Sequence, residues 1–256
     1  MLNTSNSNRP TLAHRIHTRF KAYAPKDASL FVEYPKPTSE DRVLFFAPHP
    51  DDEALAAGGY LHQAVKMGAL CTVVLVTDGN RRGLKEIRSR EFNAVLAALG
   101  IPTENAVCLE YVNGNLHLEN VNELQKRFQD IVDFAKPTVV IAPHLSDLHR
   151  EHKVISEVVR EIHELKPSFD LLQYLIHYPP HYPWPRRLAP TAPLLPPVNL
   201  SLNTSEWVLF PLTPDEVSHK QSVVELYPSQ LKTPILKSLM YSLVRSNELF
   251  RILPKK

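Results

Sequence analysis

Three short runs, RVLFFAP (42–48), LCTVVLVT (70–77) and TVVIAP (138–143), are apolar at nearly every position rather than at every second one. A strand of that kind must be covered on both faces, which is the situation of a parallel sheet between layers of helices. The intervening stretches supply the helices. EALAAGGYLHQAVKMG (53–68) has helical spacing and closes on a glycine, and GLKEIRSREFNAVLAALG (83–100) ends on Gly100. VNELQKRFQDIVDFAK (121–136) is stopped by Pro137, and REHKVISEVVREIHEL (150–165) is a fourth helix. AVCLEY (106–111), FDLLQYLIHY (169–178) and SEWVLFPL (205–212) read as further strands, and NGN (113–115) as a turn. One more helix is expected from Pro214 to about Gln230. This alternating order predicts an α/β fold of Rossmann-like type, a mostly parallel sheet with helices on both faces.

A chain of 256 residues is long enough for one large α/β domain. Its apolar runs fall well short of the ~18–20 residues of a membrane span, and the start MLNTSNSNRP lacks the pattern of a secretory signal. A cytoplasmic location is therefore expected. Cys71 and Cys108, each inside a strand, read as reduced core thiols. The net charge of +2 is unevenly spread, with basic ends on an acidic body. The chain divides into a basic extension (1–40), a main domain (41–230) containing a proline-rich loop (179–197), and a basic C-terminal helix (231–256). In that helix Ile235, Leu236, Leu239, Met240 and Leu243 share a stripe. Such a stripe packs on the domain or lies on an anionic membrane surface, as a peripheral contact. No nucleic acid is expected as a partner, and nothing sets the oligomeric state. In the loop, Tyr178, Tyr182 and Trp184 with Arg186 and Arg187 would suit the wall of a sugar- or anion-binding cleft, or the loop is only a connector.

In open α/β sheets the site lies beyond the carboxyl ends of the strands. His49 follows the first of these strands, Asp78 the second, Asn113 the third and His144 to His152 the fourth. The first connection, PHPDDE (48–53), places three acids in a row, which repel one another unless a cation gathers them. His49 and Asp52 can reach one ion, and an imidazole with a carboxylate suits Zn²⁺. The third ligand is expected in HLSDLHREH (144–152), where His149 and His152 share a helix face and Ser146 or Asp147 caps the helix. A His/Asp/His set leaves a position for water, and Asp51 is then free to act as general base. The same ligands admit Fe²⁺ or Co²⁺. Glu53 either supports a ligand from behind or favours the helix amino end.

PHPDDEALAAGG (48–59) and HREH (149–152) resemble the two marks of the LmbE-like family, which includes the PIG-L N-acetylglucosaminyl-phosphatidylinositol deacetylases: an (A/P)HPDDE segment and a late HPDH segment. VTDGNRRG (76–83), RSREFNAVLAALG (88–100) and LTPDEVSHKQSVVELYPSQ (212–230) are similar to further family segments, so the likeness covers roughly residues 41–230. The resemblance implies the LmbE-like deacetylase fold and zinc-dependent hydrolysis of a linear amide. The acetyl group would come from an N-acetylglucosamine-type or related sugar conjugate: a glycolipid, a polysaccharide precursor or a small glycoside. It implies zinc on His49, Asp52 and His152, with Asp51 as general base. His149 would steady the oxyanion or protonate the leaving amine, and Arg88 and Asn113 would contact substrate. The plainer alternatives are an Arg88–Glu91 ion pair and an Asn-Gly turn at Asn113. The chain departs from the family at Arg150 and Glu151, in place of Pro and Asp, and at Asn113, where an aspartate is frequent. Two other readings compete: a metal-dependent hydrolase of a different bond, and a catalytically silent sugar- or metal-binding module.

Overall fold

The computed structural model describes residues 27–178, 182–201 and 204–256. Its strands are β1 (Val32–Glu33), β2 (Arg42–Ala47), β3 (Leu70–Thr77), β4 (Ala106–Tyr111), β5 (Val139–Pro143), β6 (Asp170–Tyr174), β7 (Trp207–Pro211) and β8 (Asn247–Leu253). They form one sheet in the order β1-β7-β8-β6-β5-β2-β3-β4. Every pairing is parallel except those of β8, which runs against both its neighbours. The helices are α1 (Asp52–Lys66), α2 (Lys85–Leu99), α3 (Val121–Ala135), α4 (Arg150–Leu165), α5 (Pro214–Val224), α6 (Pro228–Leu231) and α7 (Pro234–Ser242). The expected α/β architecture is present, a mostly parallel sheet with helices on both faces.

The continuously apolar strands behave as their composition demands. Along β2, Val43, Phe45 and Ala47 enter a core shared with α1, α2, α5 and α7, while Leu44 and Phe46 enter a second core beneath α3 and α4. β3 and β5 alternate in the same way. Because both faces are filled, the carboxyl ends of the parallel strands remain as the rim where the connecting loops meet. Among the described residues no helix is long and apolar enough to cross a membrane.

Several boundaries differ from expectation. The stretch 231–256 is not one helix: α7 ends at Ser242 and the chain then enters the sheet as β8. The open edges of β6 and β7 require backbone partners there, and β8 supplies them to both. Leu239, Met240 and Leu243 of the expected stripe are core residues, while Ile235 is 72% exposed. Of the segment's cations, Arg245 is buried and Arg251 pairs with Glu206 at 2.7 Å. The helix expected over 214–230 breaks at Tyr227, which takes a non-helical backbone because Pro228 follows. Within the expected basic extension, β1 pairs with β7 and so joins the sheet; residues 1–26 lie outside the described residues. The strand expected over 169–178 stops at Tyr174, which frees His177 for the rim. Cys71 is a core thiol, whereas Cys108 is exposed, since β4 is an edge strand.

The insertion of β8 solves a problem in α1. That helix loses its regular backbone at Ala57 (φ −143°, ψ 20°), which orphans the amides just beyond. Glu248 of β8 accepts from Gly59 N at 2.7 Å and Tyr60 N at 2.8 Å, and Lys220 of α5 donates to the same carboxylate at 2.9 Å. A Cβ at Gly59 would stand 2.6 Å from Leu212 Cδ2, so any larger residue here would have to displace that side chain. Lys220 and Glu248 are both wholly buried, so removing one partner strands the other's charge. Lys220→Met should lower stability by about 3–5 kcal/mol, measured by urea denaturation, and the added change Glu248→Gln should recover part of the loss.

Candidate metal centre

The turn after β2 is built around Asp52. Its Oδ2 accepts from the backbone of His49 at 2.9 Å and lies 3.3 Å from His49 Nδ1. The same oxygen lies 3.4 Å from Nε2 of His152, on the first turn of α4. Ligands held roughly 2.0–2.1 Å from a tetrahedral zinc stand about 3.3 Å from one another, so Asp52 Oδ2 stands at ligand spacing from each of the two imidazoles. His152 is fully buried, and neither of its ring nitrogens makes a hydrogen bond although both face carboxylates. A buried imidazole left in that state is the donor a metal completes. The donor set therefore fits the divalent cation expected from the sequence. One nitrogen each of His49, His149 and His152 also lie within 4.8 Å of one another, which brings His149, the first histidine of HREH, to the same centre.

Behind each imidazole stands a carboxylate. Glu151 Oε2 meets His49 Nε2 at 2.7 Å, leaving Nδ1 for Asp52. Asp147 Oδ2 lies 3.3 Å from His152 Nδ1. Such partners fix which ring nitrogen faces the ion and raise its basicity. Glu151 Oε1 also accepts from Gly114 N at 2.8 Å and Leu116 N at 3.2 Å, so the departure from the family's aspartate ties the loop after β4 to the centre. Asp147 does not cap α4, whose first turn follows His149 without a side-chain cap. Instead it accepts from His149 N at 2.9 Å, Ile176 N at 3.0 Å and His177 N at 2.9 Å. Burial alone would raise its pKa, but the neighbouring His152 and His177 hold it below the usual carboxylate range.

Asp51 is turned the other way. Its φ of 130° is one that residues with side chains rarely adopt. Arg88 of α2 holds it by donating to the carbonyl of Pro50 and, at 3.1 Å, to Asp51 Oδ2. Burial pushes the Asp51 carboxyl up to about 6 against the pull of Arg88. The Arg88–Glu91 pair does not form, because Glu91 accepts from Ser229 N at 2.8 Å and Ser229 Oγ at 2.6 Å. Glu53 accepts from Asp51 N at 3.3 Å and from the buried hydroxyl of Tyr227. Burial pushes Glu53 up to about 8, so it is a neutral acid rather than a charge favouring the helix end. His149 stands edge-on to His49 with ring centres 4.6 Å apart, and burial together with His49 and His152 pushes its pKa down to about 3. Asn113 donates to Thr77 Oγ1 at 3.3 Å, and its backbone amide donates to Asp78 at 3.1 Å.

The residues expected at the centre are thus gathered by the ends of β2, β3, β4 and β5. The orienting roles of Glu151 and Asp147, and the roles of His177 and Tyr227, were not foreseen. The available signals were the acid kept inside HREH and the tyrosine of the late YPSQ segment.

The molecule is thus a Rossmann-like α/β protein with a cluster of histidines and carboxylates at its carboxyl rim that could hold a metal ion. Residues 44–163 match the family model PIG-L, described as GlcNAc-PI de-N-acetylase. A probable N-acetyl-alpha-D-glucosaminyl L-malate deacetylase 2 of Bacillus cereus is 27% identical over 133 residues, 47% of this chain. The match spans 60% of that relative's length. The fold is shared with N,N'-diacetylchitobiose deacetylase from Pyrococcus horikoshii (TM-score 0.64, 19% identity, 97% of this chain and 95% of that one). It is also shared with GalB, the 4-carboxy-2-hydroxymuconate hydratase of Pseudomonas putida KT2440 (TM-score 0.50, 15% identity, 77% of this chain and 82% of that one). At these identities the likeness concerns the fold alone, and a hydratase among the neighbours shows that the fold does not dictate the reaction.

Tyr227→Phe should leave the fold intact and raise the Glu53 pKa further, since it removes the hydrogen bond that favours the ionised form, as read by carboxyl NMR titration; an unchanged titration would leave Tyr227 a packing residue. A second outcome concerns His144, at the end of β5. Its burial pushes the pKa down to about 4, so the folded state resists protonation that the unfolded state accepts near 6.5. The stability this gives is complete above about pH 6.5 and is lost as pH falls toward 4, by roughly 3 kcal/mol. Denaturation midpoints across that range should fall in the wild type and flatten in His144→Gln.

Proposed function

We propose that this protein is a divalent-metal-dependent deacetylase that hydrolyses the N-acetyl amide of an N-acetylglucosamine-type or related sugar conjugate, whether glycolipid, polysaccharide precursor or small glycoside. The observation that carries the reading is the division of labour between two adjacent acids. Asp52 faces His49 and His152, while Asp51 is turned away from them onto Arg88. A purely metal-storing site has no use for a second, strained carboxylate held clear of the ligands. The PIG-L domain match and the deacetylase named as the Bacillus cereus relative support the amide as the bond attacked.

A cation on His49, Asp52 and His152 would supply Lewis-acid polarisation of the amide carbonyl and acidify a water molecule; the ligands suit Zn²⁺ and also admit Fe²⁺ or Co²⁺. Asp51 takes the proton of the attacking water, as the general base whose orientation Arg88 enforces. His149, neutral at rest, presents a ring N–H to the charge that develops on the carbonyl oxygen. The proton held by Asp51 then passes to the departing amine, so the carboxylate is regenerated. Arg88 and Asn113 serve as substrate contacts in this reading, Asn113 through the part of its amide that Thr77 leaves free.

Acetate release from a panel of N-acetylated sugars, measured together with metal content, tests this reading. Asp51→Asn should keep its metal and lose turnover by about 10²–10⁴-fold, whereas His152→Ala should lose the metal itself. A wild-type protein that binds metal but frees acetate from none of the panel would turn the assignment toward another reaction on the same fold.

A further inference from the structure

Arg245 lies in the turn between α7 and β8, and its side chain is 0% exposed. Its Nε donates to the carbonyl of Ser242 at 2.6 Å and its Nη2 to the carbonyl of Pro185 at 2.5 Å, which fastens the proline-rich loop to the end of α7. Ser238 of α7 donates to the carbonyl of Arg186 at 2.6 Å and secures the next residue of that loop. The remaining terminal nitrogen, Arg245 Nη1, is buried and has no hydrogen-bond partner. Two other buried polar atoms of the same region share that condition, the hydroxyl of Tyr182 and Nε of Arg186.

Arg245 and Tyr182 act electrostatically on each other, and the charge of Arg187 bears on Arg245 as well. Burial pushes the Arg245 guanidinium down to about 10, which leaves it a cation at neutral pH. A buried charge is normally paired, since an unpaired one costs heavily in desolvation. Here the groups that hold Arg245 are neutral carbonyls, and the charge of Arg187, which bears on it, has its own sign. A water could satisfy the open donors but not the charge. The missing element is an acceptor that carries negative charge, and the planar fork of arginine matches the paired oxygens of a carboxylate or phosphate.

The region is not remote from the metal centre. Asp147, which stands behind His152, also acts on the Tyr182 hydroxyl, so Tyr182 lies within electrostatic reach of both Arg245 and the metal-ligand cluster. We propose that Arg245 Nη1, the Tyr182 hydroxyl and Arg186 Nε form a second binding site, for a carboxylate or phosphate oxyanion, between the proline-rich loop and the turn into β8. The anion is either free in solution or a substituent of the sugar conjugate. The site stands independently of the amide-hydrolysis reading because it is tested by binding rather than turnover.

The test is calorimetry and thermal unfolding of the full chain with inorganic phosphate and with acetate, against chloride at matched ionic strength. Saturable binding that raises the unfolding midpoint is expected in the wild type. It should weaken about tenfold in Tyr182→Phe, which removes one hydrogen bond to a charged group, and vanish in Arg245→Met. Asp52→Ala, which disables the metal centre, should retain it. N-acetylglucosamine 1-phosphate binding more tightly than N-acetylglucosamine, with the gain lost in Tyr182→Phe, would identify the substrate as the source; equal binding of the two sugars beside intact phosphate binding would identify a free ion. The proposal is overturned if the wild type binds neither anion, if Tyr182→Phe binds both undiminished, or if Asp52→Ala abolishes the binding.

Discussion

One carboxylate oxygen, Asp52 Oδ2, stands between two imidazoles brought from opposite sides of the central strands. His49 comes from the end of β2 and His152 from the helix that follows β5. These strands are neighbours in the sheet, so their carboxyl ends place the two connections side by side. The buried acid cannot stay ionised next to Asp51 without that company. Its low pKa, which burial alone would raise, is held down by His152 and His49. The parallel pairing of β2 with β5 is therefore the constraint on which the rest of the centre depends.

Around that oxygen the molecule builds outward in a regular way. Each imidazole has its own carboxylate behind it, and each of those carboxylates is tied to backbone amides of another loop. Glu151 collects the loop after β4, and Asp147 collects the chain leaving β6. The acid that does not face the ligands is governed from a different quarter, by Arg88 of α2 and by the Glu53–Tyr227 contact from the segment before α6. The contacts that hold Asp52 and those that hold Asp51 thus come from separate parts of the chain.

The C-terminal quarter of the protein contributes more than cover. β8 closes the gap between β6 and β7, Glu248 completes the broken helix α1 that begins at Asp52, and Arg245 ties down the proline-rich loop. Within the stretch that read as a basic, surface-seeking end, Arg245 and Glu248 are buried. Both charges serve backbone groups, Arg245 the carbonyls of Ser242 and Pro185 and Glu248 the amides of Gly59 and Tyr60.

Much of this was legible in the residues themselves. Strands apolar at every position must be buried on both faces, and that requirement alone implied the layered α/β sheet and the rim on which His49, Asp52 and His152 meet. The adjacency of Asp51 and Asp52 pointed to different surroundings for the two acids, and they do have different partners, His49 and His152 for Asp52 and Arg88 for Asp51. What local pattern could not express was partnership across the chain. The strand at 247–253 exists because β6 and β7 present open edges, Tyr227 reaches Glu53 only once α5 has packed on α1, and Glu151 meets His49 only when two distant loops are brought together. Hydrophobic periodicity records which faces are buried, and tertiary structure alone decides which polar groups, once buried, must find each other.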